Sequence, residues 1–311
     1  MIGADAPLFG RLMTAMVTPF DDSNEIDYKS TEKLIEHLIE TGTDTIVVSG
    51  TTGESPTLST DEKLDLLKFT KEKAHKKTKI VFGAGTNDTE KSAKLAKKAE
   101  KAGADGLLIV VPYYNKPSQE GIAAHIKAIN DKTDLPIIVY NIPGRTGINI
   151  QPNTMVKIIE SCKNVHAIKD STGDIDQMAT LARLCADPFR LYSGDDNLTL
   201  PFMSVGACGV ISVASHVIGK EIALMMKMFA EGEIREARAL HYKYLPLFKG
   251  LFIAPNPTCV KYVLSLLGLC KENLRLPLVP LDAEQKLQMR NLLAECEVST
   301  MSDKGNLCGT R

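Results

Sequence analysis

Eight short apolar runs, most of them rich in β-branched residues, recur along the first two thirds of the chain and constrain its fold more than any other feature. The segments between them have helical periodicity, as in Ala93, Ala96, Ala99 and Ala102, with lysine and glutamate on the opposite face. Buried strands that alternate with amphipathic helices are typical of a parallel sheet covered by helices. Eight such units in roughly 230 residues predict an α/β fold, a (β/α)8 TIM barrel, with a doubly wound open sheet as the alternative. The predicted strands are 12–17, 45–48, 80–82, 106–111, 137–140, 165–168, 190–192 and 209–213.

Helical patterns continue after the eighth run, and four prolines separate them. We therefore expect a catalytic barrel over residues 1–231 and a C-terminal helical region over 232–296. Residues 297–311 contain few apolar side chains, which predicts a flexible tail. The helices expected after the eighth strand are 218–229, 234–252, 260–267 and 283–293.

The charge balance excludes several classes of function. Lysine and arginine total 37 against 38 aspartate and glutamate, so the net charge of −1 gives no general attraction for nucleic acid or anionic lipid. The apolar stretches are interrupted well before the length of a membrane span. The seven cysteines form an odd set without a C-x-x-C pair, and no signal peptide is recognisable, so we expect reduced thiols and a cytoplasmic protein.

Cofactor motifs are not found in the sequence. The six histidines lack the spacing of a zinc site, and Gly83-Ala84-Gly85 lacks the third glycine of a dinucleotide fingerprint. We therefore expect neither a metal nor an organic cofactor.

The loops that follow the strands of a barrel at their carboxyl ends build its active site. After the second run, residues 49–55 place two glycines and two threonines, Thr51 and Thr52, where backbone amides can approach an anion and hydroxyls can relay protons. A plain turn that caps the next helix is the alternative. After the fourth run come Tyr113 and Tyr114 on the loop, where they are candidates for the site. The alternative is that both tyrosines only pack against neighbouring residues.

The fifth run ends with Tyr140, and Arg145 follows five residues later. One loop can therefore carry an acid–base group and a guanidinium that binds a carboxylate. The loop after the seventh run contains Gly194, and Ile211 lies in the eighth run. The small residues of these two segments, 193–196 and 209–212, would let a ligand approach the backbone.

Lys169 follows the sixth run directly, whereas nearly all other lysines fall on polar helical faces. Its side chain would leave from a water-poor interior, which favours a neutral amine, the form that attacks a carbonyl. A buried ion pair with Asp170 or another acid is the structural alternative.

Together these motifs resemble the dihydrodipicolinate synthase family, over residues from about 10 to 295. The resemblance implies a lyase of the class I aldolase type, without a cofactor, in lysine and diaminopimelate biosynthesis. It implies condensation of pyruvate with L-aspartate 4-semialdehyde to give 4-hydroxy-tetrahydrodipicolinate. The motifs are Gly50-Thr51-Thr52-Gly53-Glu54, Tyr113-Tyr114, Tyr140-Asn141-Ile142-Pro143-Gly144-Arg145-Thr146-Gly147, Lys169-Asp170 and Ser193-Gly194-Asp195-Asp196.

The resemblance also implies roles for the catalytic residues. Lys169 would form a Schiff base with pyruvate, and Tyr140 would move protons, with Thr52 linking it to Tyr114. In the family that second tyrosine comes from a neighbouring subunit, so a homodimer would be the minimal catalytic unit, usually paired into a tetramer.

Further roles concern the substrates. The amides of Thr51 and Thr52 would hold the pyruvate carboxylate, Gly194 and Ile211 would shape its pocket, and Arg145 would bind the carboxylate of the semialdehyde. The related N-acetylneuraminate lyases share the lysine but generally lack this arginine, and they are the alternative enzyme. A non-catalytic pyruvate-binding protein is the alternative from another class.

Regulation is expected to differ from that of family members inhibited by lysine. Those members bind free lysine at the dimer interface through histidines and a glutamate. The corresponding positions here are Thr60, Lys63 and Lys91, whereas Asn87 and Tyr113 are retained. Two added positive charges predict insensitivity to lysine.

Overall fold

The computed structural model describes residues 7–300 apart from 75, 77 and 186, and its strands form one closed parallel barrel in sequence order. Closure is direct, because the first strand pairs with the last and Met13 lies opposite Ile211. The barrel prediction is therefore confirmed and the open sheet is wrong. The strands are β1 (Leu12–Ala15), β2 (Thr45–Val48), β3 (Lys79–Gly83), β4 (Gly106–Val110), β5 (Ile137–Asn141), β6 (Val165–Asp170), β7 (Arg190–Ser193) and β8 (Gly209–Ser212).

Helices follow the strands and cover the barrel. The predicted alanine face is buried at Ala93, Ala96 and Ala99. A capping box of Ser59 and Glu62 satisfies the free amides where α2 begins. The helices are α1 (Tyr28–Glu40), α2 (Thr60–Lys73), α3 (Thr89–Lys101), α4 (Gln119–Asn130), α5 (Pro143–Thr146), α6 (Pro152–Ser161), α7 (Ile175–Leu184), α8 (Thr199–Ser204), α9 (Ser215–Ala230), α10 (Ile234–Gly250), α11 (Thr258–Leu266) and α12 (Ala283–Glu295), with 3-10 turns at Ser55–Thr57 and Asp196–Leu198.

The boundary proposed after residue 231 falls between α9 and α10, two helices that pack against each other. The division into a barrel and a helical region therefore stays a prediction. Most of the predicted tail, residues 301–311, lies outside the described residues. No helix in the described part of the chain is long and apolar enough to cross a membrane.

Alternation along the strands decides which side chains enter the barrel. Ile138 and Tyr140 belong to an inner apolar cluster, whereas Ile137 and Val139 pack outward against the helices. The sixth strand is longer than predicted and includes Lys169, two residues after the inward Ala167. The lysine therefore leaves the strand on the interior side, at the carboxyl end of the barrel.

Candidate active site

A cavity of about 250 Å³ opens at the carboxyl ends of β2 to β5. Of the eight residues predicted for the site, Thr51, Tyr140 and Arg145 line this cavity directly. Its other lining residues are Ser49, Gly50, Ser55, Pro56, Lys63, Gly83, Gly85, Thr86, Leu108, Val110, Tyr113, Ile142 and Thr146.

Lys169 does not line this cavity and is buried, with only 6% of its surface exposed. Its Nζ is 4.3 Å from the centre of the Tyr140 ring, which lies opposite it on the neighbouring strand. It forms no ion pair with any carboxylate in the described part of the chain. The amine is therefore buried against an aromatic face, and no described carboxylate forms an ion pair with it.

Asp170, the acid named in the ion-pair alternative, has other partners. Its carboxylate accepts hydrogen bonds from the Thr172 hydroxyl at 2.5 Å, the Thr172 amide at 2.9 Å and Asn141 Nδ2 at 3.0 Å. Burial raises the pKa of Asp170, and these hydrogen bonds oppose that rise. The pair between Lys169 and Asp170 is therefore not formed.

Gly194 is required by its contact with Lys169. A Cβ atom at this position would lie 2.9 Å from Lys169 Cε and 1.9 Å from Ser171 Oγ. Its amide donates to the Asp170 carbonyl oxygen at 2.7 Å. A larger residue would force the side chains of Ser171 and Lys169 to shift. Ile211 is fully buried in the same inner cluster as Tyr140.

Two acids follow Gly194 in the sequence, and they differ in their surroundings. Asp196 is fully buried and accepts hydrogen bonds from the Ser212 hydroxyl and two backbone amides, which ties the end of β7 to β8. Burial raises the pKa of Asp195 to about 6, and the positive charge of Lys169 opposes that rise. An acid therefore lies in the electrostatic field of the amine without forming an ion pair with it.

The loop after β2, residues 49–54 (the β2 loop), is bracketed by two non-glycine residues with left-handed backbone. Ser49 has φ +55° and Glu54 has φ +54°. A Cβ atom at Gly53 would lie 3.1 Å from the Met16 carbonyl oxygen, which is a tight contact. The left-handed backbone at Ser49 and Glu54 was not predicted from the sequence. The amides of Thr51 and Thr52 donate to no acceptor among the described residues, so they are free to bind an anion.

Thr52 is buried, and its hydroxyl accepts a hydrogen bond from Asn256 Nδ2 at 2.9 Å. No described hydrogen bond joins it to Tyr140 or Tyr114, so the link between the two tyrosines stays a prediction. Tyr114 is 89% exposed and has φ +73°, outside the cavity that Tyr140 lines. It lines a separate, shallow surface cavity together with Arg145.

Arg145 follows the fifth strand on the short helix α5, as its spacing predicted. Its side chain is exposed at the mouth of the cavity and pairs with no carboxylate in the part of the chain that the structure describes. The guanidinium is therefore available to an anionic ligand.

A second buried lysine was missed by the sequence analysis. Lys261 on α11 has a fully buried side chain, and its Nζ lies 2.5 Å from Glu54 Oε1. Asn256 was also missed, because its segment Pro255-Asn256-Pro257 was interpreted only as a helix boundary. A lysine within the apolar run Val260 to Leu264 was the available signal for the first of these.

No cluster of three or more metal-binding side chains occurs among the residues with described positions. The site instead combines an unpaired amine, a phenol, free amides and a guanidinium. The model of the dihydrodipicolinate synthetase family matches residues 8–296. The chain belongs to this family.

Relatives of the family are similar over nearly their whole lengths. The 4-hydroxy-tetrahydrodipicolinate synthase 1 of Halalkalibacterium halodurans is 49% identical over 280 residues, which is 90% of this chain and 95% of that protein. The crystal structure of a dihydrodipicolinate synthase from Bacillus anthracis is 45% identical with a TM-score of 0.90, covering 93% of this chain and 98% of the other. The enzyme from Cyanidioschyzon merolae, solved with lysine bound, is also 45% identical, has a TM-score of 0.92, and covers 94% and 100%.

Proposed function

We propose that the chain is a 4-hydroxy-tetrahydrodipicolinate synthase, a lyase that condenses pyruvate with L-aspartate 4-semialdehyde through a Schiff base. The observation that carries the proposal is the buried Lys169, which has no acidic partner in the described chain and lies against Tyr140. Family membership and the names of the relatives support the same reaction. They favour it over N-acetylneuraminate cleavage. The direct test is to incubate the purified protein with both substrates and identify the product by mass spectrometry.

The chemistry begins when the neutral amine of Lys169 attacks the ketone of pyruvate. Loss of water leaves a protonated imine, which withdraws electrons so that a methyl proton can be removed. The resulting enamine forms a carbon–carbon bond with the aldehyde, and the new alkoxide takes up a proton. The amino group of the semialdehyde then attacks the imine carbon, which closes the ring and releases the Lys169 amine. Tyr140 is the nearest proposed proton carrier, because its ring contacts Lys169. This route needs no metal or organic cofactor, since the imine itself is the electron sink.

The two carboxylates would be held at opposite ends of the cavity. The free amides of Thr51 and Thr52 suit the pyruvate carboxylate, while Gly194 and Ile211 shape the floor beside Lys169. Arg145 at the mouth suits the carboxylate of the semialdehyde. A binding protein would not need the buried amine and the phenol in addition to these anion sites.

Tyr114 would act in a homodimer, and the enzyme would be a homotetramer in the cytoplasm. An 89% exposed tyrosine in a left-handed backbone conformation is costly unless it serves a contact beyond its own chain. Thr52 would then connect Tyr140 of one subunit to Tyr114 of the other. The six cysteines of the described chain are free thiols, which suits a reducing compartment.

Replacing Arg145 by alanine should impair use of the semialdehyde far more than formation of the pyruvate adduct. Loss of a charge-assisted, two-point contact should cost about 2 to 4 kcal/mol, or roughly 30- to 1000-fold in kcat/KM for the semialdehyde. Arg145→Lys keeps the positive charge but lacks the planar group that binds a carboxylate through two hydrogen bonds. It should therefore recover only part of the lost kcat/KM. Steady-state kinetics measures both. An unchanged kcat/KM in Arg145→Ala, or cleavage of N-acetylneuraminate by the wild type, would favour the alternative function, that of an N-acetylneuraminate lyase.

L-lysine at millimolar concentration should not inhibit the enzyme. Lys63 lines the cavity next to Tyr113 and has no carboxylate partner in the described chain, so it repels a cationic ligand. Lys91 adds less, because it is exposed and lies 3.8 Å from Asp88. Initial rates at fixed pyruvate would be titrated with L-lysine. Half-inhibition below about 1 mM, which corresponds to roughly 4 kcal/mol of binding, contradicts this prediction.

A further inference from the structure

The helical region after the barrel contacts the β2 loop through side chains more than 200 residues away in the sequence. Asn256 reaches the Thr52 hydroxyl, and Lys261 and the Arg275 amide bind the two carboxylate oxygens of Glu54, at 2.5 Å and 3.0 Å. We propose that Asn256 is a positioning residue that fixes the direction in which the Thr52 hydroxyl donates its proton. The inference rests on the proposed function, in which Thr52 belongs to the proton relay.

The first step of the argument is the chemistry of the contact. An amide nitrogen can only donate, so the Thr52 oxygen is the acceptor from Asn256 Nδ2 at 2.9 Å. The single proton of the Thr52 hydroxyl is then left for another acceptor, and no described residue takes it. Thr52 is therefore set as a donor toward a group beyond the described residues, such as a substrate or a tyrosine of a second subunit.

The second step is that the contact is protected from water. Thr52 is 4% exposed and Asn256 is 8% exposed. Asn256 Oδ1 is buried and has no hydrogen-bond partner among the described residues, so the bond to Thr52 is the one described hydrogen bond of this side chain. A buried amide with half of its polar atoms unsatisfied is costly, which is typical of residues kept for a site rather than for stability.

The third step is how Asn256 itself is held. It lies between Pro255 and Pro257, whose rings restrict the backbone just before α11 begins. One turn into that helix, Lys261 Nζ contacts Glu54, the Asn273 carbonyl oxygen at 2.7 Å and the face of the Phe20 ring at 4.2 Å. These contacts fix the position of α11 relative to the β2 loop. The Asn256 side-chain amide is thereby held within hydrogen-bond distance of the Thr52 hydroxyl.

The test compares Asn256→Asp with Asn256→Ala. The introduced carboxylate can only accept, so it should draw the Thr52 proton toward itself and lower kcat by about 10- to 100-fold at pH 8.5, more than alanine does. Burial raises the pKa of a carboxyl, and its protonated form regains a donor. The kcat of Asn256→Asp relative to wild type should therefore rise as the pH falls, while KM for pyruvate stays within about threefold. Ionisable groups common to both proteins cancel in this ratio.

The matched control is Asn164→Asp, at the opposite end of the barrel. Asn164 is as buried as Asn256, and its Nδ2 donates to the carbonyl oxygens of Thr133 at 2.7 Å and Asn130 at 3.4 Å. This change should lower Tm without lowering kcat.

Three outcomes overturn the inference when the wild type is active. The first is an Asn256→Asp variant whose activity ratio to wild type is the same at every pH. The second is equal loss of kcat in Asn164→Asp. If Asn256→Asp does not fold, an Asn256→Ala variant whose kcat is within twofold of wild type is the third. A wild type that does not convert the two substrates contradicts the proposed function as well, whereas an active wild type with unaffected variants contradicts this inference alone.

Discussion

The Lys169→Ala variant should lose condensation activity by about 10⁴-fold or more, because no other group can form the covalent intermediate. Incubation of the wild type with pyruvate and borohydride should trap one adduct per chain, and peptide mapping should assign it to Lys169. The variant should trap none. Since the side chain contacts Tyr140 and Gly194 rather than an acid, its removal should leave the fold intact.

The second buried lysine makes this experiment selective. Lys261 is more completely buried than Lys169, but Glu54 holds it in an ion pair, so it should not react with pyruvate. Lys163→Ala, at the exposed position before β6, is the control that should retain full activity. Labelling of Lys261 or of surface lysines, or activity in Lys169→Ala, would refute the Schiff-base assignment.

The Lys261→Met variant should be destabilised by about 3 to 5 kcal/mol, the largest stability effect that we expect. The change leaves the Glu54 carboxylate buried with the Arg275 amide as its one described hydrogen-bond donor, and it removes the contact with the Phe20 ring. Urea unfolding followed by circular dichroism measures the loss. The double variant Glu54→Gln with Lys261→Met should recover much of it, because no uncompensated charge remains.

An exposed ion pair provides the comparison. Lys127 on α4 and Asp131, the residue directly after that helix, form an ion pair at 2.8 Å and are about half exposed. Lys127→Met should cost less than about 1 kcal/mol. If Lys261→Met costs no more than Lys127→Met, the buried pair is not a determinant of stability.

The barrel could be predicted because each of its strands and helices carries its own periodicity. Eight apolar runs and the alanine face of α3 are local signals, and the structure retains them with shifts of a few residues. The longer β6 was missed because a lysine and an aspartate end its apolar run, although the ladder continues to pair Lys169 with Tyr140 and Tyr192. Tertiary pairing, not propensity, decides where that strand ends.

Site residues that directly follow strands could be predicted from the sequence. Contacts between residues far apart in the sequence could not. Tyr140, Lys169 and Gly194 meet as their spacing indicated. The partner of Thr52 could not be found in this way, because the position of Asn256 depends on how the helices after the barrel return to β2. The left-handed backbone at Glu54 likewise has no local signal, since the buried pair with Lys261 compensates for it.

The contact between Asn256 and Thr52 also has a consequence for biosynthesis of the protein. Its partners are separated by 204 residues, and those of the buried ion pair by 207. Such contacts form late in folding, because the intervening chain must first be ordered. On the ribosome, the β2 loop emerges early and must wait until most of the remaining chain has been translated before it gains these contacts. In a nascent chain whose eight strands have formed the barrel, Lys169 would therefore already be in place. The β2 loop, which is proposed to bind pyruvate, would still lack its contacts with Asn256 and Lys261.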